Sequence, residues 1–580
     1  MLLEILFNMK NYLLLISFTF WCLGATAQTP LWYYNNETLE YDEVVRAYTE
    51  MDNLYENAIL REFGTTDSGK PLHVFFISSG KLDKEGKVSD WKKDKTVLLI
   101  NNGIHPGEPC GIDASLVYAR NLLEAGAPDN VLIAIIPVYN IGGVLNRGCC
   151  SRANQLGPEA YGFRGNARNL DLNRDFIKAD ALNTRSFYAI FHLLQPHIFI
   201  DTHTSNGADY QYTMTLISTQ KDKLNPVLAD YLQKDLEPAL YSSMQDQGWP
   251  MIPYVNVFGD VPDKGYAAFL ESPRYASGYT ALFNTIGFIT EAHMLKPYQD
   301  RVESTRAFLD IITDYMQGHS QELIDHKTRA QEYDRNLEHL SLQWELDSSK
   351  VQEMEFMGYR ASYIPSKVTT GDRLKYNRNA PVDISINYYN SYRTTDSVEI
   401  PEYYLVSAAW YEVPQLLQYN GIQMRRLKRD TVITVESSYV SSFRFLSSPY
   451  EGHFPLLDLA IEKRTQERIF RAGDYIVPTD QENVRFVVSV LEPTAADSYL
   501  RWNFYDEIFQ QKEHFSAYVF EDTAERLLEA DPSLKEKFTE WLEMDPEREK
   551  SPYQQLSYIY QQTQAYEKEH LRYPVARILK

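Results

Sequence analysis

The first half of the chain alternates short apolar runs with longer amphipathic segments. The runs Leu72–Ile77, Val97–Ile100, Val131–Val138 and Ile198–Asp201 are rich in β-branched and aromatic residues and have the length of buried strands. Between them, Ile112–Leu123 repeats its apolar residues at helical spacing. Strands that alternate with helices in this way predict an α/β fold.

The pattern changes in the second half of the chain. A charged helical stretch runs from Tyr298 to about Asn336, and short strand-like runs separated by turns begin near Met354. After Trp502 the sequence becomes helical and acidic. The predicted strands of this half are Val382–Tyr389, Glu402–Val406, Thr431–Val435 and Val484–Val490. We therefore expect a β-rich accessory domain followed by a helical tail.

The first 27 residues have the pattern of a secretory signal peptide. Lys10 precedes the apolar run Tyr12–Leu23, and residues 25–27 (Ala-Thr-Ala) supply a cleavage site of small residues. The run is shorter than the roughly 20 residues that a membrane span needs, and no other segment of the sequence approaches that length. We expect a secreted or periplasmic protein without a membrane span.

These patterns divide the chain into five predicted segments. They are a signal peptide (1–27), an α/β domain (28–325), a helical linker (326–353), a β-rich accessory domain (354–500) and a helical C-terminal region (501–580).

Composition and charge narrow the range of partners. The 57 basic and 79 acidic residues give a formal net charge of −22, which disfavours nucleic acid and anionic membrane surfaces as partners. After removal of the leader only Cys110, Cys149 and Cys150 remain, too few for a disulfide scaffold. Stability must therefore come from the apolar core.

His105 and Glu108, two residues with the chemistry of zinc ligands, come shortly after the apolar run Val97–Ile100. His203 is the best candidate for a third ligand, because it ends another strand-like run at the same kind of edge. Two nitrogens and one carboxylate leave a tetrahedral Zn²⁺ one open position for water, which is the catalytic pattern. The sequence therefore suggests a metal-dependent hydrolase.

Further motifs carry a family resemblance. The chain contains, in this order, His105-x-x-Glu108, Asp171-Leu-Asn173-Arg174, His203 and Thr290-Glu291. On these motifs it resembles the zinc metallocarboxypeptidases of the carboxypeptidase A family, as a bacterial-type, secreted member with a C-terminal extension. The resemblance covers about residues 40 to 318. It implies a carboxypeptidase-like mixed sheet flanked by helices in the catalytic domain 28–325.

The resemblance also implies the reaction. One Zn²⁺ would be bound by His105, Glu108 and His203, and the substrates would be peptide or protein C-termini. Glu291 would be the general base that takes a proton from the attacking water and returns it to the leaving amine.

Substrate binding is implied by the loop that contains Asp171. Asn173 and Arg174 match the family pair that grips the terminal carboxylate of the substrate, and the planar fork of an arginine suits a carboxylate. Asp171 stands where the family places the carboxylate that orients the first zinc histidine, here His105.

Some assignments stay open at the level of sequence. The family carries an arginine that stabilises the oxyanion, and we assign Arg152, with Arg147 as the competitor. A family tyrosine closes over the substrate, but Tyr275 and Tyr279 both qualify and neither is assigned. His293 follows Glu291 by two residues, and we interpret it as a histidine of a neighbouring pocket or as a structural histidine rather than as a further ligand.

Three other functions compete with a carboxypeptidase. The Asp171 motif also resembles the aspartoacylase and succinylglutamate desuccinylase branch of zinc amidases, which cleave acylated amino acids. A second alternative is a zinc amidase or carboxypeptidase that acts on cell-wall peptides. The third is a secreted, non-catalytic binding protein with a degenerate peptidase fold.

Overall fold

The computed structural model describes residues 31–580, so the predicted signal peptide lies outside the described residues. The strands of the first half are β1 (Ala58–Thr65), β2 (Pro71–Ile77), β3 (Thr96–Asn102), β4 (Val131–Ile136), β5 (Ile198–Ser205), β6 (Met214–Ser218), β7 (Met251–Pro253), β8 (Tyr266–Ala267) and β9 (Ile286–His293). Its α-helices are Tyr41–Leu54, Val88–Trp91, Cys110–Ala125, Ile141–Leu145, Leu182–Leu194, Pro226–Tyr231, Glu237–Asp246, Ala276–Ala281, Tyr298–Gly318 and Ser320–Arg335.

Eight of these strands form one mixed sheet, in the order β1-β2-β4-β3-β5-β9-β6-β7. The four central strands β4, β3, β5 and β9 are parallel to one another, whereas β1, β2 and β6 join by antiparallel pairing. Every residue of β3 and β4 is buried. Strands that are covered on both faces need continuous apolar runs, which is why their sequences do not alternate.

Helices and further elements cover the two faces of the sheet. Leu98 and Ile100 of β3 face a core built with the helices Tyr41–Leu54, Cys110–Ala125 and Tyr298–Gly318. Val97 and Leu99 of β3 face the opposite core, which includes the helix Leu182–Leu194 and residues of the C-terminal region. The predicted α/β class, with a mixed sheet flanked by helices, is confirmed.

The second half is built from long hairpins and short helices. Its strands are β10 (His339–Leu346), β11 (Gln352–Pro365), β12 (Asp372–Tyr389), β13 (Tyr392–Glu399), β14 (Tyr403–Val406), β15 (Arg425–Arg426), β16 (Thr431–Phe445), β17 (Leu456–Phe470), β18 (Tyr475–Pro478) and β19 (Arg572–Ile578). Its α-helices are Glu412–Tyr419, Val484–Leu491, Ala517–Ala530, Pro532–Glu543, Pro546–Glu549 and Pro552–Gln561. The β-rich character and the late helices agree with the prediction.

Strand β19 links the end of the chain to the accessory strands. It lies inside a six-stranded sheet of order β15-β18-β14-β19-β16-β17. The region from 501 is therefore not helical throughout, and its last strand pairs with both β14 and β16. Strand β10 likewise falls within the segment predicted to be a helical linker.

One predicted strand is wrong. Val484–Leu491 is an α-helix, in which seven of the eight residues are buried. Its valines favour a strand by propensity, but a helix that is buried on every side shows no polar stripe, so periodicity cannot separate the two. Packing within the shared core decides for the helix.

Cys149 and Cys150 form a disulfide between adjacent residues, while Cys110 is free and buried. Among residues 31–580, none of the helices combines the length and apolarity that crossing a bilayer requires.

Candidate metal centre

His105, Glu108 and His203 come together at one edge of the large sheet. One ligand atom from each residue lies within 4.8 Å of the others, and all three residues are buried. His105 and Glu108 occupy the loop that follows β3, and His203 lies on the neighbouring parallel strand β5. The carboxyl ends of parallel strands are where open α/β sheets form their binding crevices.

Both imidazole rings are oriented by aspartates. Nε2 of His105 lies 3.0 Å from Oδ1 of Asp171, and Nε2 of His203 lies 2.9 Å from Oδ2 of Asp201. A carboxylate only accepts a hydrogen bond, so Nε2 of each ring donates to its aspartate and Nδ1 is the ring nitrogen that faces Glu108.

The Nδ1 atoms of the two rings converge on a carboxylate. Nδ1 of His105 and Nδ1 of His203 lie 3.4 and 3.1 Å from the two oxygens of Glu108. Nitrogen and oxygen atoms at such distances from one another can share one metal ion. Two imidazoles and one carboxylate are a donor set that fits zinc with an open coordination position.

Glu108 is held in its ionised form by its neighbours. Nη1 of Arg152 donates to Oε1 at 2.6 Å, and the backbone N–H of Thr204 donates to Oε2 at 2.8 Å. Burial by itself would raise the pKa of this carboxyl, but the charges of Arg152 and His105 hold it well below its ordinary value. The side chain therefore presents a charged ligand although it is buried.

Glu291 faces the same site from the next strand. In the parallel pairing of β5 with β9, Glu291 is the direct partner of His203. It lines a cleft of about 270 Å³ together with the three candidate ligands. Burial raises the pKa of its carboxyl to about 8, an effect that His203 opposes and Glu108 reinforces.

The loop that contains Asp171 forms another wall of this cleft. Asn173 is buried, and its Oδ1 accepts from the backbone N–H of Ala276 at 3.3 Å. Arg174 donates through Nη1 to the carbonyl of Asn173, and its guanidinium lies 4.4 Å from the ring centroid of Tyr275. This cation–π contact and the hydrogen bond hold the guanidinium at the wall of the cleft.

The structure separates the residues that sequence left as competitors. Arg152 lines the cleft, whereas Arg147 donates to the backbone carbonyls of Thr38 and Leu39. Tyr275 also lines the cleft.

Tyr279 and His293 have other surroundings. Tyr279 is buried in the aromatic core, and its hydroxyl donates to Asn420. His293 is buried with Nε2 2.9 Å from the carbonyl oxygen of Ala208, as expected for a structural histidine.

Sequence reasoning assigned no role to two residues of this site. Asp201, which orients His203, precedes it by two residues on the same strand, and this spacing could have revealed it. Arg164 lies 2.9 Å from Asp171 and 3.3 Å from Nδ1 of His105. Several arginines crowd that segment of the sequence, so spacing offered no signal for this one.

Two fungal proteins with similar sequences are both named as carboxypeptidases. Carboxypeptidase 2 of Trichophyton tonsurans is 23% identical over 468 residues, which cover 75% of this chain and 78% of that protein. Carboxypeptidase 2 of Trichophyton equinum is 24% identical over 467 residues, with the same coverage of both chains. No protein-family model matches the chain. These relatives, together with the cluster of His105, Glu108 and His203, support a metallocarboxypeptidase.

Solved structures align with part of this chain. A metallo-carboxypeptidase from Burkholderia cenocepacia aligns at 17% identity over 48% of this chain and 70% of its own, with a TM-score of 0.36. Carboxypeptidase A from Helicoverpa armigera aligns at 14% identity over 51% and 74%, with a TM-score of 0.34. At such TM-scores the enzyme class rests on the sequence relatives and on the site.

Proposed function

We propose that this protein is a zinc-dependent carboxypeptidase, secreted or periplasmic, that hydrolyses the C-terminal peptide bond of peptides or proteins. The observation that carries the proposal is one cleft lined by three buried metal-type ligands, by the carboxylate of Glu291 and by the guanidinium of Arg174. A set of metal ligands with a general base is common to many classes of metal-dependent hydrolase. The arginine adds recognition of a free carboxylate, which distinguishes an exopeptidase.

His105, Glu108 and His203 would hold the zinc ion. When bound, zinc supplies a Lewis acid that polarises the scissile carbonyl and makes water acidic enough to be deprotonated near neutral pH. Asp171 and Asp201 keep the two Nδ1 atoms directed toward this position through hydrogen bonds to Nε2.

Glu291 is the proposed general base. Its place opposite His203 on the adjacent strand brings its carboxylate to the cleft on a rigid element rather than on a loop. It would accept a proton from the attacking water and donate that proton to the amine of the departing residue.

We assign the orientation of the substrate to Asn173, Arg174 and Arg152. Arg174 would bind the terminal carboxylate with two parallel hydrogen bonds, and Asn173 would add a donor beside it. Arg152, which contacts Glu108 at 2.6 Å, would stabilise the negative charge that develops on the carbonyl oxygen.

The experiment uses the chain without its first 27 residues, purified and supplied with zinc. We expect it to release the last residue from peptides with a free C-terminus, to leave C-terminally amidated copies of the same peptides nearly intact, and to stop when a chelator removes the metal. Efficient cleavage of the amidated copies would favour an amidase or an endopeptidase. Metal binding without hydrolysis of any peptide would favour a binding protein.

A further inference from the structure

The tip of the hairpin β16–β17, residues 446–455, reaches the loop that carries the proposed carboxylate-binding residues. Oε2 of Glu451 accepts a hydrogen bond from the backbone N–H of Asp171 at 2.7 Å. The two residues lie 280 positions apart in the sequence. A residue of the C-terminal region therefore contacts the backbone next to the metal centre.

The hairpin tip is itself ordered and makes a second contact with the same loop. Tyr450 and His453 exchange backbone hydrogen bonds of 2.8 and 3.0 Å, which close the turn around Glu451. Nε2 of His453 lies 2.8 Å from Oδ2 of Asp180. Asp171 and Asp180 are thus both held from the hairpin tip, with Asn173 and Arg174 between them.

The carboxylate of Asp171 already has partners of its own. Its Oδ1 contacts Nε2 of His105 and accepts from the backbone N–H of Asn173, while Oδ2 accepts from Arg164. The backbone N–H of Asp171 donates instead to Glu451, which comes from a distant part of the chain.

The neighbouring segment, which contains Arg274 and Tyr275, is also held from the C-terminal region. Asp497 accepts from the backbone N–H of Arg274 at 2.9 Å and from its Nε at 2.8 Å. The next residue, Tyr275, stacks on the guanidinium of Arg174. Arg174 therefore lies between two segments that the same region of the protein fixes.

We propose that Glu451 is a positioning residue for substrate binding: it holds the loop from Asp171 to Arg174 in the conformation that receives the terminal carboxylate. This inference rests on the proposed function. It gives the C-terminal region a part in the active site, because a catalytic half without the hairpin tip lacks the acceptor for this loop.

The test compares Glu451→Ala with Glu451→Gln and with the control Glu467→Ala. Glutamine keeps an oxygen that can accept the hydrogen bond of Asp171, and Glu467 is an exposed residue of β17 in the same hairpin. We expect Glu451→Ala to raise KM for free-carboxylate peptides by about three- to tenfold, as loss of one hydrogen bond implies. Glu451→Gln should restore most of the wild-type KM, and Glu467→Ala should match the wild type.

A readout without turnover follows the loop itself. Hydrogen–deuterium exchange of the backbone amides in residues 171–176 should be faster in Glu451→Ala than in the wild type, and Tm should change little. A lower Tm with unchanged KM would overturn the inference, because Glu451 would then only support the fold. Equal exchange in all four proteins would overturn it as well.

The exchange experiment also separates this inference from the proposed function. A wild-type protein that hydrolyses no peptide would contradict the carboxypeptidase proposal, while faster exchange in Glu451→Ala would still show that the hairpin tip holds the loop. If the wild type is active and Glu451→Ala matches it in KM and in exchange, only the positioning role of Glu451 would be contradicted.

Discussion

The central strands of the large sheet and the long hairpins of the C-terminal region bury very different fractions of their residues. All seven residues of β3 are buried, whereas β11 buries two of its 14 residues and β12 only one of its 18. The candidate metal ligands lie at or just after the ends of β3 and β5, which are both fully buried. A backbone that is packed on both faces holds side chains within the small tolerances that catalysis needs.

The hairpin β16–β17 shows how an exposed element can still affect the site. Its strands have mostly exposed or half-buried side chains, yet its tip contacts Asp171. The large sheet positions the candidate metal ligands and Glu291, while the C-terminal region adds contacts to the loop of Asp171.

The largest effect is expected at the end of β9. Glu291→Gln keeps the size of the side chain but removes its capacity to accept a proton, so turnover should fall by about 10²- to 10⁴-fold while zinc content is unchanged. Steady-state kinetics and metal analysis of the purified variant measure both quantities. Wild-type turnover would remove Glu291 from the mechanism, and loss of zinc would make it a ligand instead.

The shared core predicts a large effect on stability. Trp502 is buried at 1% exposure in a cluster that includes β3 residues and C-terminal residues. Trp502→Ala should lower the free energy of unfolding by about 3–5 kcal/mol, and loss of activity and of secondary structure should coincide during denaturant unfolding. Separate transitions would mean that the two halves fold independently.

A smaller effect is expected at the cleft wall. Arg174→Ala should lower kcat/KM for free-carboxylate peptides by roughly ten- to a hundredfold, because a charge-assisted contact contributes about 1.5–3 kcal/mol. Arg174→Lys should recover only part of the loss. Arg147→Ala is the matched control, since Arg147 contacts Thr38 and Leu39 outside the cleft. Equal losses on free and amidated peptides would assign Arg174 to the fold or to the oxyanion.

The smallest effect belongs to the exposed face of the hairpin. Ile469 on β17 is 58% exposed. Ile469→Thr should change the free energy of unfolding by no more than about 0.5 kcal/mol and leave kcat and KM unchanged. Thermal unfolding and the peptide assay check this expectation. A clear loss of stability would indicate that this face is covered in solution, and the division between core and exposed hairpin would need revision.

The amino-acid sequence determined the elements whose signals are local. Continuous apolar runs identified the central strands, because strands buried on both faces can tolerate few polar residues. The spacing of His105 and Glu108 after one run, and His203 at the end of another, predicted a site that the structure brings together. The family resemblance, the α/β class and the enzyme class are likewise confirmed.

The tertiary structure alone decided between candidates with equal local signals. Arg147 and Arg152 lie five residues apart in one arginine-rich segment, and only packing directs one of them to Glu108. The run Val484–Leu491 is apolar enough for a strand or a helix, and its neighbours in the core select the helix.

No pattern in the sequence predicts the contact of Glu451 with Asp171. The spacing of residues in the sequence predicts which side chains lie together within one strand or one turn. A hydrogen bond between residues 280 positions apart depends on how the whole chain packs.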